Sequence, residues 1–318
     1  MIHYITCHFG TDELIDIQLQ HIKQFTDVDY KVWMSYTAPT SDELKQIRDG
    51  EVLFKQLEND IDNHEAKILQ HNEKVHHFEY IPILLTQDAS CLPIRDFSWG
   101  NYVASQNHQN NLSIMTDRVL ESPDLQDTDM LVWLDSDTFL VDKVDDLFVN
   151  GKNTFTAVQR NHMNAKGKPL LHPHPCFACC SVAFYKKHYP NINWLGSIRM
   201  YRGFGDRVFQ MHGDGQPPHK AHIPTTISQM TDEECKQLYN DTGGGIYYYF
   251  DDLDINWIKL TKTGSLGNVN KAFEIFDNKI LHVGMLQQSL LKRMPFLEQD
   301  NSIKIYNDIL SREYLKGI

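Results

Sequence analysis

The chain has 318 residues, of which 41% are hydrophobic and 23% are charged, and its formal net charge is -12. This composition excludes a disordered or fibrous protein, and no apolar run approaches the roughly 20 residues that a membrane-spanning helix needs. We therefore expect a globular protein without a transmembrane segment. The first residues lack a basic stretch and a cleavage site, so we also expect no signal peptide.

The first half of the sequence predicts strands that alternate with helices. Short β-rich runs are separated by stretches in which leucine and isoleucine recur at helical spacing. This alternation is typical of a mixed, mainly parallel sheet with helices on both faces, as in Rossmann-like α/β folds. We predict strands over residues 3–9, 30–36 and 76–84, a loop over 93–100, and helices over 12–25 and about 105–120.

An apolar strand ends in two aspartates near the middle of the chain. Residues 130–134 are apolar and partly β-branched, which indicates a strand buried on both faces, and Asp135 and Asp137 follow it. Ligands of open α/β sheets bind at the carboxyl ends of the strands. Two carboxylates one residue apart suit a hard divalent cation that also takes phosphate oxygens. The alternative is an ordinary acidic turn, because DxD is a short and common motif.

The second half carries further candidate motifs. Residues 154–159 and 178–184 predict strands, joined by a connection rich in histidine and proline that includes LLHPHPCF. Asp241 precedes three glycines, which predict a tight turn into a helix and permit a close approach to a ligand. Asp241 also has an alternative role as the cap of that helix. Residues 255–260 and 279–283 predict two more strands, and His282 lies in the second of them.

Charge is distributed unevenly along the chain. Residues 1–150 have a net charge of -17, residues 151–222 have a net charge of +8 with seven histidines, and the remainder has a net charge of -3. A basic segment between acidic ones indicates a polyanionic or phosphate-bearing partner. The alternative is that the acidic and basic parts pair with each other.

The six cysteines form no recognisable disulfide framework, which is typical of a protein in the reducing cytoplasm. Cys176, Cys179 and Cys180 raise the possibility of zinc. No second CxxC pair accompanies them, which argues against a zinc site.

The order of these motifs resembles that of the GT-A glycosyltransferases. The shared features are a βαβ-rich first half, a hydrophobic strand ending in LDSD, a PHPCF-type strand, an acid before a glycine turn, and a late HxG. The resemblance is closest to glycogenin-like and galactosyltransferase-like families and to uncharacterised glycosyltransferases with HPCF and DxGG segments. It implies one continuous GT-A domain, in which residues 1–150 bind the nucleotide sugar and residues 151–318 bind the acceptor.

The resemblance also implies roles for individual residues. Asp135, Asp137 and His282 would bind Mn²⁺ or Mg²⁺, which bridges the diphosphate of a nucleotide sugar, with a UDP-sugar as the donor. Asp241 would face the sugar and the acceptor, as general base in an inverting enzyme or as a positioning group in a retaining one. The other predicted contacts of the nucleotide sugar are Thr6, Cys7, His8, Arg95, Asn107, Ser136, Gly243, Gly244, Gly284 and Lys292.

The function that follows is transfer of a hexosyl or pentosyl group from a nucleotide sugar to an acceptor hydroxyl. The acceptor stays open between a glycan or lipopolysaccharide and hydroxymethylated pyrimidines in DNA, as in phages, which the basic segment 151–222 would bind. One alternative is a metal-dependent nucleotidyl- or phosphotransferase, which needs further acids for a second metal. Another is a catalytically inactive binding protein with the same fold.

Overall fold

The protein is a mixed α/β structure in this computed structural model. The structure describes part of the chain. The described residues are 1–9, 12–37, 75–81, 97–150, 153–163, 169–189, 191–192, 194, 200–202, 207–210, 225–226, 229, 231, 243–265 and 274–283.

Eight described elements lie in the first half of the chain. They are β1 (Ile2–Phe9), α1 (Asp12–Phe25), β2 (Tyr30–Thr37), β3 (Val75–Tyr80), α2 (Phe97–Leu120), β4 (Met130–Asp135), β5 (Thr138–Leu140) and α3 (Asp145–Asn150).

The described elements of the second half follow in the same numbering. They are β6 (Phe155–Met163), β7 (Pro169–Ser181), α4 (Val182–His188), β8 (Met200–Arg202), β9 (Arg207–Gln210), β10 (Thr225–Thr226), α5 (Gly244–Asp252), β11 (Trp257–Leu260), β12 (Lys262–Ser265), β13 (Glu274–Phe276) and β14 (Ile280–His282).

The main sheet has seven described strands in the order β11-β6-β7-β4-β1-β2-β3. β7 pairs antiparallel with both of its neighbours, and every other pair in the sheet is parallel. The predicted mixed, mainly parallel sheet is therefore confirmed. Strands from both halves of the chain contribute to it. The order brings β4 to the centre, between β1 and β7.

Helices cover both faces of this sheet, as predicted. Because side chains alternate along a strand, Val132 and Trp133 of β4 point to opposite faces. Val132 packs in the same buried cluster as Leu19 of α1. Trp133 packs in the cluster that contains Leu112 of α2 and Phe250 of α5. β4 is consequently enclosed on both faces, which explains why its sequence is a continuous apolar run.

Several predicted boundaries differ from the structure, most of all those of α2 and β7. α2 begins at Phe97 rather than near 105, since Gly100 lies inside the helix at a cost of about 1 kcal/mol instead of ending it. β7 extends back to Pro169, and residues 182–184 begin α4 instead of continuing the strand. Pro175 of LLHPHPCF lies in a register shift opposite Ala157 and Val158 of β6, whereas Pro173 is in register with Gln159.

A second, four-stranded sheet has the order β12-β13-β14-β5 and was not predicted as a sheet. Its strands are three or four residues long, and all of its pairs are antiparallel. Asp277 and Asn278 connect β13 to β14 with positive φ values of 47° and 56°, which these residue types tolerate. β5 follows β4 directly, so this sheet is attached to the carboxyl end of β4. A third described sheet consists of β8, β9 and β10.

Within the part of the chain that the structure describes, no helix is both long enough and apolar enough to cross a membrane.

Gly243 precedes α5 with a φ of 96°, and a Cβ atom there would lie 2.0 Å from the carbonyl oxygen of Pro173. We expect Gly243→Ala to lower the free energy of unfolding by at least about 1–3 kcal/mol, because it adds backbone strain and a clash. Urea denaturation measures this change. Gly264→Ala is the matched control, since its Cβ would meet Ile275 at 3.6 Å. We expect that variant to stay within about 0.5 kcal/mol of the unmodified protein. Equal losses in both variants would contradict the argument.

Candidate metal centre

Asp135 and Asp137 lie at the carboxyl end of the enclosed strand β4. Asp135 is the last residue of the strand and is 8% exposed, and Asp137 follows in the turn to β5. The backbone that carries Asp135 is held in place, since β4 pairs with β1 and β7.

Helix α1 fixes the turn that carries the two aspartates. The side-chain amide of Gln18 donates to the carbonyl oxygens of Asp135, at 2.7 Å, and of Thr138, at 2.9 Å. His8 contacts the amide oxygen of Gln18 at 3.0 Å, and the ring of His21 donates to the carbonyl oxygen of Leu140 at 2.5 Å. Gln18 thus holds both ends of the turn and His21 holds the end of β5, which fixes the backbone that carries the two aspartates.

The small sheet brings His282 to the same place. β14 pairs antiparallel with β5, so that His282 is opposite Thr138, and the backbone N–H of Val283 donates to the carbonyl oxygen of Asp137 at 2.8 Å. His282 Nε2 lies 3.6 Å from Asp137 Oδ1. A residue near the end of the described chain is therefore placed beside the DxD turn by main-chain pairing.

Asp135, Asp137 and His282 form an Asp-Asp-His cluster that fits a divalent cation. Their ligand atoms all lie within 4.8 Å of one another. Bonds of about 2.0–2.2 Å put ligand atoms on opposite sides of one ion at most about 4.4 Å apart, so small side-chain rotations are sufficient. The predicted grouping of these three side chains is observed. Whether they bind a metal stays a prediction.

Helix α2 supplies a fourth group next to the cluster. His108 Nε2 lies 3.0 Å from Asp135 Oδ1. Leu112 and Thr116 follow His108 at intervals of four, so the three side chains share one helical face. Thr116 accepts a hydrogen bond of 2.9 Å from Trp133 Nε1, which fixes this face of the helix on β4.

Arg160 and Glu274 lie on the other side of His282. Glu274 is directly opposite His282 in the β13–β14 pair. Arg160 belongs to β6 of the main sheet. Its side chain forms an ion pair with Glu274, and its Nη2 lies 2.7 Å from His282 Nδ1. Lys262 Nζ lies 3.3 Å from Glu274 Oε1. Arg160 therefore connects the main sheet to the small sheet at the cluster.

The electrostatics of the cluster favour a bound cation. Burial raises the pKa of Asp137 above its ordinary value; the proximity of His282 opposes this rise, and the like charge of Asp135 adds to it. Burial would also raise the pKa of Glu274, but the proximity of His282 and the charge of Arg160 outweigh it, and the pKa is about 2. Glu274 is thus a carboxylate at neutral pH, while the two aspartates repel each other.

His174 lies on β7 with its ring centroid 6.0 Å from that of His282. Its Nδ1 accepts a hydrogen bond of 3.1 Å from the backbone N–H of Cys176. Burial lowers the pKa of His174 far below its ordinary value, and the positive charge of Arg160 lowers it further. His174 is therefore a neutral imidazole that carries its proton on Nε2.

The other predicted site residues have different placements. The side chains of Thr6, Cys7 and His8 are buried in β1, and Ser136 lies between the two aspartates. Gly243 and Gly244 form the start of α5, where the observed close approach is to Pro173 rather than to a ligand. Asn107 is in the backbone of α2, but its side chain lies outside the described residues, as do Arg95, Asp241, Gly284 and Lys292. The roles of all these residues stay predictions.

The cysteines of β7 do not form a metal site in the described structure. Cys179 and Cys180 belong to opposite faces of the sheet, and neighbouring residues of a strand cannot point to one ion. Burial raises the pKa values of the Cys176, Cys179 and Cys180 thiols, which keeps them protonated.

Comparisons with known proteins give matches among solved structures. No protein-family model matches the sequence, and no curated protein matches it. Among solved structures 43 chains match, including the apo structure of the bifunctional glycosyltransferase WbbM. That match has 12% identity and a TM-score of 0.27, and it covers 59% of this chain and 32% of WbbM. The chain thus spans about a third of the length of WbbM.

Asp137→Asn tests the electrostatics of the cluster. When folding raises the pKa of a carboxyl group, its ionised form destabilises the folded protein at neutral pH. The destabilisation disappears at low pH, where the group is protonated in both the folded and the unfolded protein. At pH 7 with EDTA, we expect the variant to unfold with a free energy higher by about 0.5–2 kcal/mol. The gain should vanish as the pH falls below about 3.9, the ordinary pKa of aspartate.

The control for this comparison is Asp142→Asn, because Asp142 is an exposed aspartate just beyond β5. We expect the free energy of unfolding of Asp142→Asn to stay within about 0.5 kcal/mol of that of the unmodified protein. A stability of Asp137→Asn that is unchanged or lower at pH 7, measured by urea denaturation, would show that the carboxylate is not strained in the folded protein.

Proposed function

We propose that this chain is a metal-dependent glycosyltransferase, which moves a sugar from a nucleotide sugar to an acceptor hydroxyl. The observation that carries the proposal is the convergence of Asp135, Asp137 and His282 at the carboxyl end of β4, the central strand of a mainly parallel sheet. The sequence resemblance to GT-A enzymes gives the same three residues to the metal. We further propose Mn²⁺, or Mg²⁺, as the ion and a UDP-sugar as the donor.

The donor set supports this choice of ion. Carboxylate oxygens suit Mg²⁺ and Mn²⁺, and imidazole suits softer divalent ions, so two aspartates with one histidine favour Mn²⁺. In such a reaction the bond from the sugar to the diphosphate breaks, and negative charge develops on the leaving group. A divalent ion bound at the cluster would supply Lewis-acid stabilisation of that charge, worth several kcal/mol.

The chain's own residues prepare the site for this chemistry. Gln18 holds the DxD turn and His21 holds the end of β5, so the backbone of the two aspartates is fixed before a ligand binds. His108 contacts Asp135, and β14 holds His282 by backbone pairing. Asp241 is our candidate for the group that faces the sugar and the acceptor, as general base or as positioning group according to the stereochemistry of transfer.

A nucleotidyl- or phosphotransferase is the second candidate, because it also needs carboxylates at a strand end. A two-metal site of that kind needs further acids close to the first ion. The Asp-Asp-His cluster is the one group of metal-ligating side chains found among the described residues. Asp146, at the start of α3, instead pairs with Lys279 at 3.0 Å. These contacts favour the glycosyltransferase.

The acceptor is proposed to be either a glycan or lipopolysaccharide, or hydroxymethylated pyrimidines in DNA. The basic segment 151–222 is the argument for DNA. Two of its described cations already have acidic partners, since Lys186 pairs with Asp127 at 2.8 Å and Arg160 pairs with Glu274. A DNA site therefore depends on the remaining basic residues of the segment.

Turnover of nucleotide sugars tests the proposed reaction. A panel of UDP- and GDP-sugars is incubated with the protein and Mn²⁺, and release of nucleoside diphosphate is measured with and without each class of acceptor. We expect release from a UDP-sugar, and we expect Asp137→Ala to lower the rate by ~10²–10⁴-fold, which corresponds to the loss of several kcal/mol. Asp142→Ala should keep the full rate. If no donor turns over or binds with Mn²⁺ present, the proposal fails.

Salt dependence separates the two acceptor classes. Binding of DNA releases counterions, so raising the salt from about 50 to about 200 mM should weaken it by orders of magnitude, whereas a neutral glycan should bind almost equally at both. Equilibrium binding of hydroxymethylated DNA and of an oligosaccharide, each at the two salt concentrations, measures this difference. A binding protein without activity would retain its partner in Asp137→Ala.

A further inference from the structure

The ring of His282 has two nitrogens with opposite surroundings. Nε2 faces the DxD carboxylates, with Asp137 Oδ1 at 3.6 Å. Nδ1 faces Arg160 Nη2 at 2.7 Å and Glu274 Oε2 at 3.9 Å. The guanidinium of Arg160 can only donate a hydrogen bond, and the carboxylate of Glu274 can only accept one. The two neighbours of Nδ1 therefore favour different positions of the single ring proton of a neutral histidine.

The contact with Arg160 is incompatible with metal binding through Nε2. When Nδ1 accepts from Arg160, the ring proton is on Nε2, which then has no lone pair for a cation. A histidine that binds a metal through Nε2 carries its proton on Nδ1 and donates it to an acceptor, and that acceptor fixes the orientation of the ring. Among the described residues near Nδ1, the group that can accept this hydrogen bond is the carboxylate of Glu274.

Glu274 is well placed to act in this way. Its backbone is directly opposite His282 in the β13–β14 pair, so the two side chains leave the same face of the small sheet. Arg160 and Lys262 each form an ion pair with its carboxylate, which restrains the side chain. A movement of about 1 Å closes the 3.9 Å separation from Nδ1 to an ordinary hydrogen-bond length.

We propose that Glu274 is a positioning residue of the Asp-Asp-His cluster: it accepts the Nδ1–H of His282 and so keeps Nε2 available to the cation, while Arg160 holds the Glu274 carboxylate in place. This inference rests on the proposed metal-dependent function and adds a residue to it. When the cation binds, Nδ1 loses its hydrogen bond from Arg160 and donates one to Glu274. The ring proton moves from Nε2 to Nδ1 in the same step.

Affinity for Mn²⁺, measured by isothermal titration calorimetry without any sugar donor, tests the proposal. We expect Glu274→Gln to raise the dissociation constant about 10–100-fold, since loss of such an outer partner typically has an effect of this size. The matched control is Glu79→Gln. Glu79 is also a strand glutamate that pairs with an arginine, Arg118, and contacts a histidine, His77, but it lies on β3. Its substitution should change the dissociation constant by less than about twofold.

A double-mutant cycle separates positioning from simple charge attraction. His282→Gln keeps a side-chain oxygen that can replace Nε2 as a ligand but presents no ring N–H to Glu274. In that background Glu274→Gln should change Mn²⁺ affinity by less than about threefold. An equally large effect in both backgrounds would mean that Glu274 acts as a remote negative charge, which overturns the proposal.

The position of the ring proton gives a readout in the unmodified protein, independent of how well the variants fold. Long-range ¹H–¹⁵N spectra of histidine-labelled protein, with His282 assigned by comparison with His282→Gln, should move from the Nε2–H to the Nδ1–H form on addition of Mg²⁺. Retention of the proton on Nε2 in the Mg²⁺-bound protein would overturn the proposal.

If the unmodified protein binds neither Mg²⁺ nor Mn²⁺, the metal-dependent function itself fails. If it binds them and Glu274→Gln binds them equally well, only the role of Glu274 is wrong.

Discussion

Strand β4 has no free face and no free edge, and the candidate site depends on this constraint. Its side chains are covered by helices on both faces, and its backbone pairs with β1 and β7. The two aspartates at its end are consequently held within 4.8 Å of each other. At an effective dielectric constant of about 20, two like charges at that distance repel by about 3 kcal/mol, a large part of the 5–15 kcal/mol by which a typical domain is stable. A divalent cation bound between the two carboxylates would attract both of them and offset their repulsion.

The parts of the fold that the sequence predicted are those with a strong local pattern. α1 has the predicted bounds, and β1, β2 and β4 begin and end within one residue of prediction, because each has clear periodicity or a continuous apolar run. The same logic gave Asp135 and Asp137, since a buried strand that ends in acids places them at the functional edge of the sheet. His282 came from the resemblance to a family, since its own surroundings in the sequence carry no such signal.

Contacts between distant residues account for what the sequence did not predict. The strands of the small sheet are too short for a period to be counted, so the pairing of β14 with β5 could not be foreseen. Arg160, Glu274 and His108 each act through a partner far away in the sequence, and charged residues at such positions look like ordinary surface groups. The residue pattern predicted a connection over residues 170–177 of β7, because prolines normally exclude a strand. In the structure Pro173 is in register with Gln159, and Pro175 lies in a register shift.

The small sheet has a thermodynamic consequence that follows from its size. Its hairpin β13–β14 consists of three-residue strands, and a hairpin of that length has little stability unless it is docked on other structure. His282 belongs to this hairpin and the two aspartates belong to the end of β4, so a cation held by all three side chains binds only the docked form. By mass action such a ligand shifts the local opening equilibrium of the hairpin toward closure. The ion would then act as a reversible cross-link across a long loop of the chain, and the docking of the hairpin and the affinity for the ion would be two measures of one equilibrium.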